Sequence, residues 1–136
     1  MNLVINDCLG IPVRYDPEAK VIADSRGLLR WKEIVVGPGI FNFSRREQQA
    51  ILLHEVGHCK LYHLEKRLLR LWKLIWPKSL ALYCQFQEQQ ADYYVAQCGY
   101  GLDLASAFSR MTSSGGPLHP STSSRIERLL AWHSKA

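Results

Sequence analysis

The sequence predicts an α+β fold: a small N-terminal sheet, antiparallel or mixed, followed by about four helices. Three observations point to it. Residues 1–43 carry short β-branched and aromatic runs punctuated by Pro, Gly and Asp. From residue 44 onward, apolar residues recur at helical spacing behind helix-start residues. The 136 residues, 47% hydrophobic and 21% charged, suffice for one domain, 1–136, with a core of its own.

Taken in order, Ile11 to Tyr15 and Val21 to Asp24 read as strands. Between them Asp16-Pro17-Glu18-Ala19 has the composition of a hairpin turn. Ile34-Val35-Val36 is a third β-branched run, ended by Gly37-Pro38-Gly39. Ser44 and Glu47 have the spacing of a capping box, so a helix is expected to start there and run through residue 60. Ala50, Ile51, Leu52, Leu53 and Val56 cover most of its circumference, which predicts a buried middle. Pro77 is the first hard stop, which leaves this helix room to run on to Trp76. A second long helix fits Ser79 to Cys98, closed by Gly99, and a shorter one Leu102 to Met111. Thr112 to Pro120 reads as a Ser/Gly/Pro loop before a last helix, Ser121 to His133.

The net charge of +5 belongs to one segment. Lys60, Lys66, Arg67, Arg70, Lys73 and Lys78 are offset only by Glu65, while the rest of the chain is balanced. A balanced remainder argues against nucleic acid as the partner. On a helical wheel, Leu61, Leu64, Leu68, Leu71, Trp72 and Ile75 gather on one side, with Lys66, Arg70 and Lys73 opposite. Residues 60–78 can therefore lie on an anionic membrane surface, act as a lid, or simply pack on the domain. No apolar run reaches the roughly 18–20 residues that span a bilayer, and Met1 to Asp7 lack the pattern of a secretory signal. Cys8, Cys59, Cys84 and Cys98 form no C-x-x-C pair. The expected setting is cytoplasmic, with peripheral contact at the inner membrane surface as an option.

The sharpest motif is His54-Glu55-Val56-Gly57-His58. Histidines at i and i+4 put two imidazoles on one helix face, spaced to bind one zinc ion, with Glu55 between them placed to act on a water. A third protein ligand is needed, and the candidates are Glu88, Asp92, His63 and His119. Glu88 is favoured. Asp92, one turn further along the same face, suits a hydrogen bond to the free nitrogen of a ligand histidine. His63 lies about 140° further round a continuous helix than His58 and is expected to point elsewhere.

Three blocks together resemble the HtpX and CAAX-prenyl-protease group of zinc metallopeptidases. They are His54-Glu55-Val56-Gly57-His58, then Glu88-x-x-Ala91-Asp92-x-x-x-Ala96, then His119-Pro120 with Arg125-Ile126. The group are gluzincins. The resemblance implies a zincin-like architecture, one zinc ion per chain on His54, His58 and Glu88, and Glu55 as general base. It further implies Asp92 as the group that orients a ligand histidine, and His119 and Arg125 above the metal, steadying the oxyanion. Many members of the group carry spanning helices. This chain is expected to be little more than the catalytic core, an endopeptidase whose protein or peptide substrate pairs with an exposed sheet edge at Ile34 to Val36. Two other uses of the motif stand beside this one: a cytoplasmic zinc peptidase that cuts a repressor or DNA-associated protein, and a non-catalytic, zinc-stabilised interaction module.

Overall fold

The computed structural model describes residues 7–72, 77–111 and 121–135, the side chains of 70–79 excepted. Four strands, β1 (Asp7–Cys8), β2 (Ile11–Tyr15), β3 (Ala23–Leu28) and β4 (Trp31–Val36), form a mixed sheet in the order β1-β2-β4-β3. A Leu9-Gly10 turn with positive φ at both residues folds β1 back antiparallel on β2. β3 and β4 form the other hairpin, in register from Ala23 opposite Val36 to Leu28 opposite Trp31.

The hairpin expected across Asp16 to Ala19 is not formed. The Asp16 amide instead donates to the Val36 carbonyl at 2.9 Å, and the chain crosses over so that β2 runs parallel to β4, Val13 opposite Ile34. The cause lies in β4 itself. Ile34, Val35 and Val36 are all 0% exposed. Three consecutive apolar residues need cover on both faces, which only an interior strand receives. The expected edge at Ile34 to Val36 is therefore corrected as well: it is paired on both sides, and the edge is β3, with its polar Asp24, Ser25 and Arg26.

Pro38–Asn42 make one 3-10 turn that buries Ile40 and leads to α1 (Arg45–Lys60). The capping box forms. The Glu47 amide donates to Ser44 Oγ at 3.2 Å, and Glu47 Oε2 accepts from the Ser44 amide at 2.9 Å. Such a cap stabilises a helix by about 1 kcal/mol. Residues 50–59 of α1 are buried except Glu55. One side of α1 meets β3 and β4, and the other meets α3 (Pro77–Gln97) and α4 (Gly101–Arg110). Gly99, at φ +83, closes α3 by donating to the Ala96 carbonyl at 3.1 Å. α5 (Thr122–Ser134) packs on α3 and α4 and buries Leu129.

α1 does not continue toward Trp76. It stops at Leu61, Tyr62 takes a left-handed φ of 55°, and a separate α2 (His63–Trp72) begins, giving five helices among the described residues. The stop comes from the sheet. Lys32 of β4 donates its ammonium to the Cys59 carbonyl, one of the acceptors a helix end leaves free, and lies 4.1 Å from the Tyr62 ring centre. Glu65 of α2 sits 3.0 Å from the same ammonium and accepts from the Leu29 amide at 2.7 Å. Burial pushes the Glu65 carboxyl up, but the backbone amides and Lys32 outweigh it and hold it below the usual carboxylate range. One lysine thus ties the β3–β4 hairpin, the end of α1 and the start of α2 together.

On α2, Leu64, Leu68 and Leu69 are exposed, as is Lys66. Arg70 and Lys73, which complete the expected basic face, lie among the side chains outside the described residues, as does Lys78 of the same basic stretch. The four thiols are unbridged, Cys98 exposed and the others buried. No helix among the described residues is long and apolar enough to cross a membrane.

Lys32→Met keeps the aliphatic stem and removes the ammonium. It is expected to lower the unfolding free energy by about 1–3 kcal/mol, read by urea denaturation. Lys32→Met with Glu65→Gln is expected to cost less than Lys32→Met alone, since no carboxylate is then left buried without its partner. A double variant less stable than the single one would contradict this account of the junction.

Candidate metal centre

His54 and His58 stand one turn apart on the buried face of α1, and Glu88 faces them from α3. Glu88 Oε2 is 3.2 Å from His54 Nε2, Glu88 Oε1 is 3.2 Å from His58 Nε2, and the two Nε2 atoms are 3.1 Å apart. These residues are the group of potential metal ligands that the described residues bring together. The spacing is itself a test of fit. Ligand bonds of about 2.0–2.1 Å in a tetrahedron put neighbouring donors about 3.3 Å apart. The two Nε2 atoms stand almost at that separation, each is 3.2 Å from one of the two Glu88 oxygens, and two imidazoles with one carboxylate are a donor set suited to zinc.

The two helices meet closely at this level. A Cβ on Gly57 would lie 3.3 Å from the Ala91 Cα and 3.3 Å from the Tyr94 ring. Ala91 is one turn past Glu88, so the absence of a side chain at position 57 lets α3 bring Glu88 within reach of both histidines.

Behind the cluster lies a second layer of polar groups. Asp92, 0% exposed, has Oδ1 3.0 Å from His54 Nδ1, off the line of a well-directed hydrogen bond. Arg125 of α5 clamps Asp92 with two hydrogen bonds, Nε to Oδ2 at 2.8 Å and Nη2 to Oδ1 at 2.7 Å. Its Nη2 is also 3.5 Å from Glu88 Oε2, and the guanidinium lies 4.1 Å from the Phe108 ring centre. Burial raises the Asp92 pKa, but Arg125 first and His54 second outweigh it and keep the carboxylate ionised.

His58 has a different neighbour. His63, the first residue of α2, is 1% exposed, and its Nδ1 is 2.7 Å from His58 Nδ1. The expectation that His63 points elsewhere is thus corrected. It assumed one continuous helix, and the left-handed residue at Tyr62 swings the next turn back beneath the cluster. Burial, then the neighbouring His58, pushes the His63 pKa down to about 3. His63 Nε2 is 3.1 Å from Gln90 Oε1, and its carbonyl accepts from Gln87 Nε2 at 3.0 Å. Arg67 donates to Gln87 and lies 3.8 Å from Glu88.

Glu55 is on α1 between the two histidines but turned toward an open cleft of about 580 Å³. The same cleft is lined by His54, His58, Glu88 and Arg125, and on its far wall by β3 from Ala23 to Gly27. His119 lies outside the described residues. Arg125 lines the cleft, with its guanidinium engaged by Asp92.

Comparison of the chain with protein-family models, with curated proteins and with solved structures finds no match. Its geometry therefore carries the reading: a buried His-His-Glu cluster able to hold a metal ion, on an α+β scaffold of zincin type.

Burial would lower the His54 pKa, but contact with Asp92 and Glu88 outweighs it and holds the imidazolium up at about 10. In the metal-free protein this proton joins Arg125 and Arg67 in balancing the two carboxylates. A histidine that ligates a metal must be neutral, so loading the site displaces it. Metal affinity is therefore expected to rise at least about tenfold per pH unit between about pH 6 and pH 9. Competition of zinc with a calibrated chelator across that range checks it, and an affinity independent of pH would contradict the assignment of His54.

Proposed function

We propose that this chain is a zinc-dependent endopeptidase of gluzincin type, with His54, His58 and Glu88 as metal ligands and Glu55 as general base. The observation that carries the reading is the combination of two histidines and a carboxylate clustered within 3.2 Å contacts with a second glutamate, Glu55, open to the same cleft. A purely structural zinc site has its ligands closed around the ion and no use for such an acid.

Zinc held by these residues would supply Lewis acidity, polarising a peptide carbonyl and making a water acidic enough to attack it near neutral pH. The chain's own groups do the rest. Glu55 takes the proton from the attacking water and returns it to the leaving amine. Asp92 faces the outer nitrogen of His54 and so favours the tautomer whose Nε2 points at the site. Arg125 keeps Asp92 ionised and in place, and its positive charge at the cleft favours the carbonyl oxygen as it turns negative. An extended peptide fits along β3, an edge strand whose residues Ala23 to Gly27 line the cleft.

The order of the blocks supports the likeness to the HtpX-type group: the Glu88 and Asp92 block on α3 and Arg125 on α5 converge on the motif of α1. The substrate is proposed as a protein or peptide. A β-strand edge beside the ligands suits a main chain, whereas nucleic-acid recognition would need a predominantly basic cleft, and here Arg26, Lys32, Arg67 and Arg125 are matched by Asp24, Glu55, Glu65 and Glu88.

Two substitutions separate binding from chemistry. Glu55→Gln is expected to lower peptidase activity on an unfolded protein substrate by at least about 100-fold while leaving one zinc per chain. Glu88→Ala is expected to lose zinc or bind it far more weakly. Full activity in Glu55→Gln would overturn the mechanism, and full zinc retention in Glu88→Ala would move the third ligand elsewhere.

A further inference from the structure

We propose that His63 is a positioning residue for the metal centre: it accepts a hydrogen bond from His58 and fixes the tautomer in which His58 Nε2 offers its lone pair to a metal ion. The inference rests on the metal-site reading above and concerns a residue outside the ligand set.

One chain of ring nitrogens links the metal ligand to α3. His58 Nε2 faces Glu88 and His54, each within 3.2 Å, so it is the ligand nitrogen. A neutral imidazole with its lone pair on Nε2 carries its proton on Nδ1. The neighbour of that Nδ1 is His63 Nδ1, at 2.7 Å, which must then be the acceptor. A neutral His63 that accepts at Nδ1 carries its own proton on Nε2. There it meets Gln90 Oε1 at 3.1 Å, an oxygen that only accepts. Every proton along the chain from His58 through His63 to Gln90 is thereby assigned, and each donor has an acceptor. The opposite assignment would put a proton on His58 Nε2 and close the site to a metal.

His63 is held for this role at both ends. Its side chain is 1% exposed, and Gln87 grips its carbonyl, so two glutamines of α3 fix one histidine of α2. The two ligand histidines thus differ in support. His54 faces a carboxylate, while His58 donates to a neutral imidazole. A carboxylate partner raises the basicity of a ligand histidine and adds a negative charge behind the metal. A neutral partner orients the ring without either effect, so the pair is aligned on both sides but loaded with charge on one.

The test is zinc affinity, measured by chelator competition on the full chain, with no assay of turnover. His63→Leu fills the space but accepts nothing, and is expected to weaken zinc binding by about 10–100-fold. His63→Asn places an oxygen acceptor near the former Nδ1 position and is expected to recover most of that loss. Gln90→Leu removes the far end of the chain and is expected to weaken binding several-fold, which decides the question if His63→Leu does not fold. If His63→Leu is folded and binds zinc like the wild type, the inference is wrong although the metal site stands. It is also wrong if Leu and Asn at position 63 weaken binding equally, because His63 then serves only packing. It is wrong too if Gln90→Leu binds as tightly as the wild type. If the wild type itself binds no zinc, the metal-site reading fails and this inference with it.

Discussion

The close approach of α1 and α3 at Gly57 is the constraint on which the centre depends. Helix packing distances follow the side chains at the contact, and here one partner contributes none. With Gly57 against Ala91, the helices sit near enough for a short carboxylate side chain to span the gap to two imidazoles at once. A Cβ at position 57 would lie 3.3 Å from the Ala91 Cα, so a larger residue would push α3 away by a few tenths of an ångström or more. The interior glycine costs α1 about 1 kcal/mol of helix propensity. The capping box at Ser44 and Glu47 offsets a cost of that size at the other end of the same helix.

Bringing Glu88 and Asp92 into a buried layer creates an electrostatic demand. Two carboxylates inside a protein need cations, and the described residues supply Arg125, a proton on His54 and, 3.8 Å from Glu88, Arg67. Arg125 is committed to Asp92. The proton is the replaceable one, and it sits at the point where a metal ion would bond. The site is thus built to exchange a proton for a divalent ion. On the opposite wall His63 and Gln90 carry no charge, so of the two ligand histidines only His54 is backed by a carboxylate, itself paired with Arg125.

How much of this was legible in the sequence depends on how far apart the interacting residues lie in the chain. The capping box, the Gly99 cap and the shared face of His54 and His58 are set by residues within a turn or so of one another, so spacing reveals them. The interior position of β4 was legible too. The run Ile34-Val35-Val36 lacks the alternation of an edge or one-faced strand, and reading it as an edge overlooked that signal. The end of α1 was not legible. No glycine or proline stands between Lys60 and His63, and the stop comes from Lys32, 27 residues before Cys59. His63 was missed for the same reason, since its angular position on a wheel has meaning only if the helix is unbroken. Asp92 and Arg125 meet across 33 residues and are joined by a resemblance, not by any periodicity of this chain.

X-ray absorption at the zinc K edge of the loaded wild-type protein tests the central claim most directly, because it reads the donors themselves. A His54, His58 and Glu88 site predicts a shell of nitrogen and oxygen only, at about 2.0–2.1 Å, with the outer-shell scattering of two imidazoles. Sulfur at about 2.3 Å would place the ion on one of the cysteines instead. That result, or a spectrum without imidazole scattering, would contradict the account of the centre.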